Sequence, residues 1–77
     1  MIYNRIALLR TEQGLSRQDL AEKVGVNYQT IGFIERGDYS PSLELAFKIA
    51  EVFGVELTTV FSDKKFPSLF VGKKETE

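Results

Sequence analysis

The stretch Ser16-Arg17-Gln18-Asp19-Leu20-Ala21-Glu22-Lys23-Val24-Gly25-Val26-Asn27-Tyr28-Gln29-Thr30-Ile31-Gly32-Phe33-Ile34-Glu35-Arg36-Gly37 decides the fold. Ser16 can cap a helix, and Asp19 three residues later shortens the usual capping box by one methylene. Leu20, Ala21 and Val24 then recur at helical spacing until Gly25 stops the run. Asn27 is a second good N-cap, and Gly37 closes the segment Tyr28 to Arg36. On a wheel of about 100° per residue, Ile31 and Ile34 share one side of that segment, while Gln29, Gly32, Phe33 and Arg36 share the other and Tyr28 sits at the edge. An amide fork, a guanidinium, two aromatics and a glycine are a poor outer face for a helix that only meets water. Two short helices joined by the turn Gly25-Val26-Asn27, the second exposing such groups, describe a helix-turn-helix unit.

The rest of the chain adds helices on both sides. Asn4 to Gln13 carries Ile6, Leu8 and Leu9 at helical spacing and is stopped by Gly14. Ser40, with Pro41 in the first helical position and Glu44 in the first turn, predicts a fourth helix running to Phe53 and ended by Gly54. Thr58 can cap one more turn through Phe61. The short apolar segments Met1-Ile2-Tyr3 and Phe66 to Val71 have strand character, and Lys73 to Glu77 is polar. The expected organisation is one helix-turn-helix domain over residues 1–61 and a tail over 62–77 that is either a strand or a dimerisation segment.

Composition narrows the function. The 77 residues are 43% hydrophobic and 27% charged, as in an ordinary soluble domain, and they include no Cys and no His. Disulfides, Cys/His zinc sites and His-based acid–base chemistry are therefore excluded. No nucleophile–base arrangement or Gly-rich phosphate loop stands in for them, so an enzyme is not expected, and neither is a cofactor or metal. No apolar run approaches the ~20 residues of a membrane span and no leader pattern opens the chain, which predicts a cytoplasmic protein without membrane contact. Net charge is −1, so a nonspecific basic coat for nucleic acid is not present. A core of this size supplies only about 3–5 kcal/mol, which favours support from a partner subunit.

The combined spacing resembles the Cro/repressor-type family of helix-turn-helix regulators, also called xenobiotic-response-element-like. The resemblance rests on Ile6, Leu9 and Arg10; on Gly14 through Ala21 and Val24-Gly25-Val26; on Gln29-Thr30-Ile31 and Ile34-Glu35-Arg36-Gly37; and on Pro41-Ser42-Leu43, Leu45-Ala46, Ile49-Ala50 and Phe53-Gly54-Val55. It covers roughly residues 4–61 and implies an all-α, five-helix domain whose third helix lies in the major groove of double-stranded DNA. In some stand-alone members the amino terminus pairs with the segment after helix five, so a short β ribbon between the first residues and the tail is expected here.

Carried onto this sequence, the family's base-reading positions are Tyr28, Gln29, Gly32 and Phe33. Gln29 can bond adenine N6 and N7 as a bidentate pair, and an aromatic such as Phe33 can touch a thymine methyl or pack on Tyr28 or a loop. Gly32 allows either a close backbone approach or chance variation. Phosphate contacts are expected from Arg17, Gln18, Thr30, Arg36 and Tyr39; Arg17 stands where the family often has Gln, and it can also reach a guanine. Arg10 and Glu35 match a structural, partly buried ion pair.

Helix four has a polar stripe of only Glu44, Lys48 and Glu51, leaving an apolar arc wider than one small core needs. The flank Leu45, Ile49 and Val52, with Leu57, Phe61, Leu69 and Phe70, is the expected dimer interface, unless the tail folds back over it within one chain. The leading reading is a homodimeric, sequence-specific DNA-binding repressor on a near-palindromic operator with half-sites about 10 bp apart. The alternative is a protein-binding module or antitoxin on the same fold.

Overall fold

Ser16 and Asp19 close a reciprocal capping box. The Ser16 N–H donates to Asp19 Oδ2 and the Asp19 N–H donates to Ser16 Oγ, both at 2.9 Å. Helix formation thus starts where two orphan donors are satisfied at once. In the computed structural model, which describes residues 1–67, the chain order is β1 (Tyr3–Asn4), α1 (Ile6–Glu12), α2 (Arg17–Val24), α3 (Tyr28–Glu35), α4 (Leu43–Phe53), α5 (Leu57–Val60) and β2 (Phe61–Ser62). Five helices and a small antiparallel ribbon make up the expected architecture.

The turn between α2 and α3 depends on Gly25, whose φ of +80° lies in the left-handed region that a Cβ disfavours. Two residues later Asn27 accepts the Thr30 N–H at 3.0 Å and opens α3. Ile6, Leu20, Ile31, Ile34, Ile49 and Val60 are the large side chains enclosed at the centre, so every helix contributes to one core. Arg5 N–H donates to Val60 O at 2.8 Å and brings the two chain ends of the domain together.

Four details differ from the sequence reading. Asn4 is not helical: its Oδ1 accepts the Ile6 N–H at 3.0 Å, so α1 starts two residues later. The fourth helix is capped by Ser42, not Ser40 with Pro41, because Ser42 takes the extended conformation and its Oγ accepts the Leu45 N–H at 3.1 Å. Helix five begins at Leu57 after Glu56, whose carbonyl accepts the Thr59 N–H, so Thr58 lies inside the turn. The ribbon forms between the amino-terminal strand and Phe61–Ser62 (Tyr3 opposite Ser62, Asn4 opposite Phe61), so Phe61, expected in the last turn of helix five, is strand. One helical turn is short enough to deliver Phe61 directly beside Asn4. Phe66 instead lies under the Arg5 guanidinium, 4.1 Å from ring centre to Cζ.

The expected interface also needs correction. Ile49 is 0% exposed and Phe61 8%, so both belong to the core of their own chain and leave little surface for a second one. Helices α2 and α5 pack against α4 and select Ala46, Ile49, Ala50 and Phe53 as its inner face. The apolar surplus emerges on the opposite shoulder from the one expected, at Leu43 and Phe47, which are 67% and 54% exposed. Leu45, Val52 and Leu57 are partly buried against the core. Leu69 and Phe70 lie outside the described residues.

Candidate nucleic-acid interface

The outer face of α3 is built by its cap and its core contacts together. Asn27 fixes where the helix starts, and Ile31 and Ile34 fix its rotation by burying completely. Tyr28, Gln29 and Phe33 are thereby turned to solvent. Gly32 is covered by charge: a Cβ built there would stand 3.4 Å from Arg36 Nη1 and 4.0 Å from Arg17 Nε. Arg17, Tyr28, Gln29, Gly32, Phe33 and Arg36 together line a shallow depression on this face. Two of the expected contacts thus bracket the glycine whose purpose the wheel leaves open.

The expected ion pair is a three-residue network. Glu35 Oε2 accepts from Arg10 Nε and Oε1 accepts from Arg17 Nε, both at 2.9 Å, with the Glu35 side chain only 5% exposed. Arg10 Nη1 also donates to Leu15 O at 3.0 Å, linking the network to the approach to α2. A nearly buried carboxylate needs paired donors on both oxygens, and it has them. Arg36 Nε contacts Asp38 Oδ2 at 3.2 Å, and its Cζ stands 5.2 Å above the Phe33 ring. Phe33 therefore carries a cation over one face of its ring while remaining about half exposed.

The remaining expected contacts have their own partners. Thr30 Oγ1 donates to Asn27 Oδ1 at 3.1 Å, which commits its hydroxyl proton to the cap. Gln18 Nε2 donates to Glu22 Oε2 at 3.0 Å on an exposed surface. Tyr39 stands exposed in the loop after α3. At the start of α2 the Ser16 backbone N–H, then its hydroxyl, hold the Asp19 carboxyl below the usual aspartate range, with Lys23 contributing in the same direction.

Two positioning contacts are not apparent from the sequence alone. Asn4 Nδ2 donates to Ile34 O at 3.0 Å and reaches Glu35 O at 3.5 Å, fastening the carboxyl end of α3 to β1. Gln13 Nε2 donates to Phe53 O at 2.9 Å and ties α1 to the end of α4. Both join residues far apart in the chain, and only an N-terminal asparagine just before an apolar helix hints at the first.

A capped pair of helices across a glycine turn, the second displaying aromatic, amide and guanidinium groups over a closed core, is a helix-turn-helix DNA-binding fold. The family model described as helix-turn-helix, HTH_3, matches residues 6–60. The chain belongs to this Cro/C1-type family and is a helix-turn-helix transcriptional regulator. It is 50% identical over 58 residues to an HTH-type transcriptional regulator of Methanocaldococcus jannaschii, covering 75% of this chain and 88% of that one. It is 34% identical over 65 residues to the cryptic phage CTXphi transcriptional repressor RstR of Vibrio cholerae, covering 84% of this chain and 59% of RstR. Among solved structures it is similar to the restriction-modification controller protein C.AhdI from Aeromonas hydrophila, with a TM-score of 0.67 and 33% identity over 70% of this chain and 82% of that one. No helix among the described residues is long and apolar enough to cross a membrane.

Proposed function

We propose that this regulator is a homodimeric repressor that reads a near-palindromic operator by placing α3 in the major groove. The observation that carries the reading is the outward face of α3, where Tyr28, Gln29 and Phe33 stand exposed beside Arg17 and Arg36. Gln29 is the direct reader, suited to adenine, and Phe33 meets a thymine methyl. Gln18, Thr30, Arg36 and Tyr39 hold the phosphates, Thr30 by exchanging its cap partner. The description of RstR as a transcriptional repressor supports the sign of regulation.

Twofold association follows from charge and exposed surface. Each neutralised phosphate contributes about −0.9 to the slope of log K against log salt, so a monomer with only Arg17 and Arg36 as cations on this face binds weakly and a dimer doubles them. Leu43 and Phe47, with the partly buried Leu57 across an adjoining groove, are the surface available to a second copy. The test is selection of bound duplexes from a random pool, with sedimentation of free protein and complex. A selected inverted repeat bound by two chains is expected. Selection of no sequence at any salt concentration would sink the DNA reading. The exposed apolar shoulder also suits the second reading, a module that binds another protein; a stable monomer that selects no DNA would favour it.

A further inference from the structure

Arg17, the first residue of α2, does not extend away from the helix pair. Its Nε donates to Glu35 Oε1 at 2.9 Å and lies 4.0 Å from the point where a Cβ on Gly32 would stand. The side chain therefore lies across α3, in the same depression as Tyr28, Gln29 and Phe33. Glu35 is itself fixed, because it is almost enclosed and its other oxygen holds Arg10 at 2.9 Å. A guanidinium anchored through Nε has its direction set, and its terminal nitrogens donate to no protein group among the described residues.

Two in-plane donors held in a fixed direction complement O6 and N7 of guanine in the major groove. A phosphate draws on charge more than on direction, and the network of Arg10, Arg17 and Glu35 keeps only one net positive charge. The chain from Arg10 through Glu35 to Arg17 adds a fixed direction to that single charge. We propose that Arg17 is a specificity-determining residue that selects one guanine in each half-site through its terminal nitrogens, with Glu35 as its positioning residue. This rests on the DNA-binding reading above and departs from a purely phosphate-contacting start of α2.

The experiment uses the full chain and the duplex it selects. Each guanine is replaced in turn by adenine or by 7-deazaguanine, which lacks the N7 acceptor, and the affinity ratio to the parent duplex is measured. The ratio compares two duplexes on one protein preparation, so partial unfolding of a variant cancels. One position per half-site should cost the wild type about 5- to 150-fold. Arg17→Ala and Arg17→Gln should remove that penalty and leave the salt slope nearly unchanged. Glu35→Gln should shrink the guanine ratio while the ratio at the base pair lost in Gln29→Ala stays as it was; an unchanged guanine ratio in Glu35→Gln overturns the positioning role. If Arg17→Ala instead weakens every duplex by one factor and lowers the salt slope by about 0.9, Arg17 is a phosphate contact and the proposal falls. That outcome leaves the DNA reading intact, whereas selection of no sequence by the wild type removes both.

Discussion

Glu35 receives a guanidinium on each carboxylate oxygen while its side chain is only 5% exposed. Removing one partner of a buried pair commonly costs about 3–5 kcal/mol, because a charge is left uncompensated. Arg10→Ala should cost less than that in urea denaturation, since Arg17 still holds Oε1. The double variant with Arg17→Ala should cost more than the two single changes added together, because only then does the carboxylate lose both donors. At Asp19 the sign is set by the Ser16 hydrogen bonds, which lower the folded carboxyl below its ordinary value of 3.8. A lowered folded pKa gives stability that is present above the ordinary value and is lost as pH falls through the folded one. The melting temperature of the wild type should exceed that of Asp19→Asn at neutral pH, and the gap should close as pH drops below 3.8.

At the scale of elements, caps and spacing carry most of the information. The limits of α2 and α3 follow from Ser16, Gly25, Asn27 and Gly37 to within a residue. The start of α4 does not, because Ser40, Pro41 and Ser42 offer competing starts and local preference does not choose between them. Ser42→Ala should lower stability by about 1 kcal/mol in thermal or chemical unfolding, while Ser40→Ala changes it little. The face of α4 is ambiguous for a different reason. Leu43, Phe47 and Ile49 are all apolar, and a wheel with so wide an apolar arc has no unique inward direction until α2 and α5 pack on it. In α3, Gly32 does not have positive φ, so Gly32→Ala can strengthen the helix by up to about 1 kcal/mol. The new methyl would stand 3.4 Å from the flexible end of Arg36 and crowd the ground on which Arg17 lies. A raised melting temperature together with weaker operator binding is the expected pair of results.

For the whole molecule, the exposed shoulder of α4 would link assembly to recognition in the proposed dimer. Phe47→Glu should shift sedimentation toward monomer and weaken operator binding most at low protein concentration, with little change in folding, because the side chain is already half in water. The types of residue on the outer face of α3 are legible in the sequence, since cap and wheel together turn them outward. Their mutual support is not: Arg17 meets Glu35 across 18 positions and Asn4 meets Ile34 O across 30, and neither separation leaves a periodic trace. The Asn4 contact has a practical side. The far end of the helix proposed to read DNA is hooked by one side chain three residues from the first methionine, inside a ribbon only two residues long. An affinity tag, a fused reporter or a trimmed start that pulls Tyr3–Asn4 away from Phe61–Ser62 would loosen that helix from behind. A fusion of this kind could score as defective in DNA binding with every residue of the outer face intact, and comparing it with an untagged chain would expose the artefact.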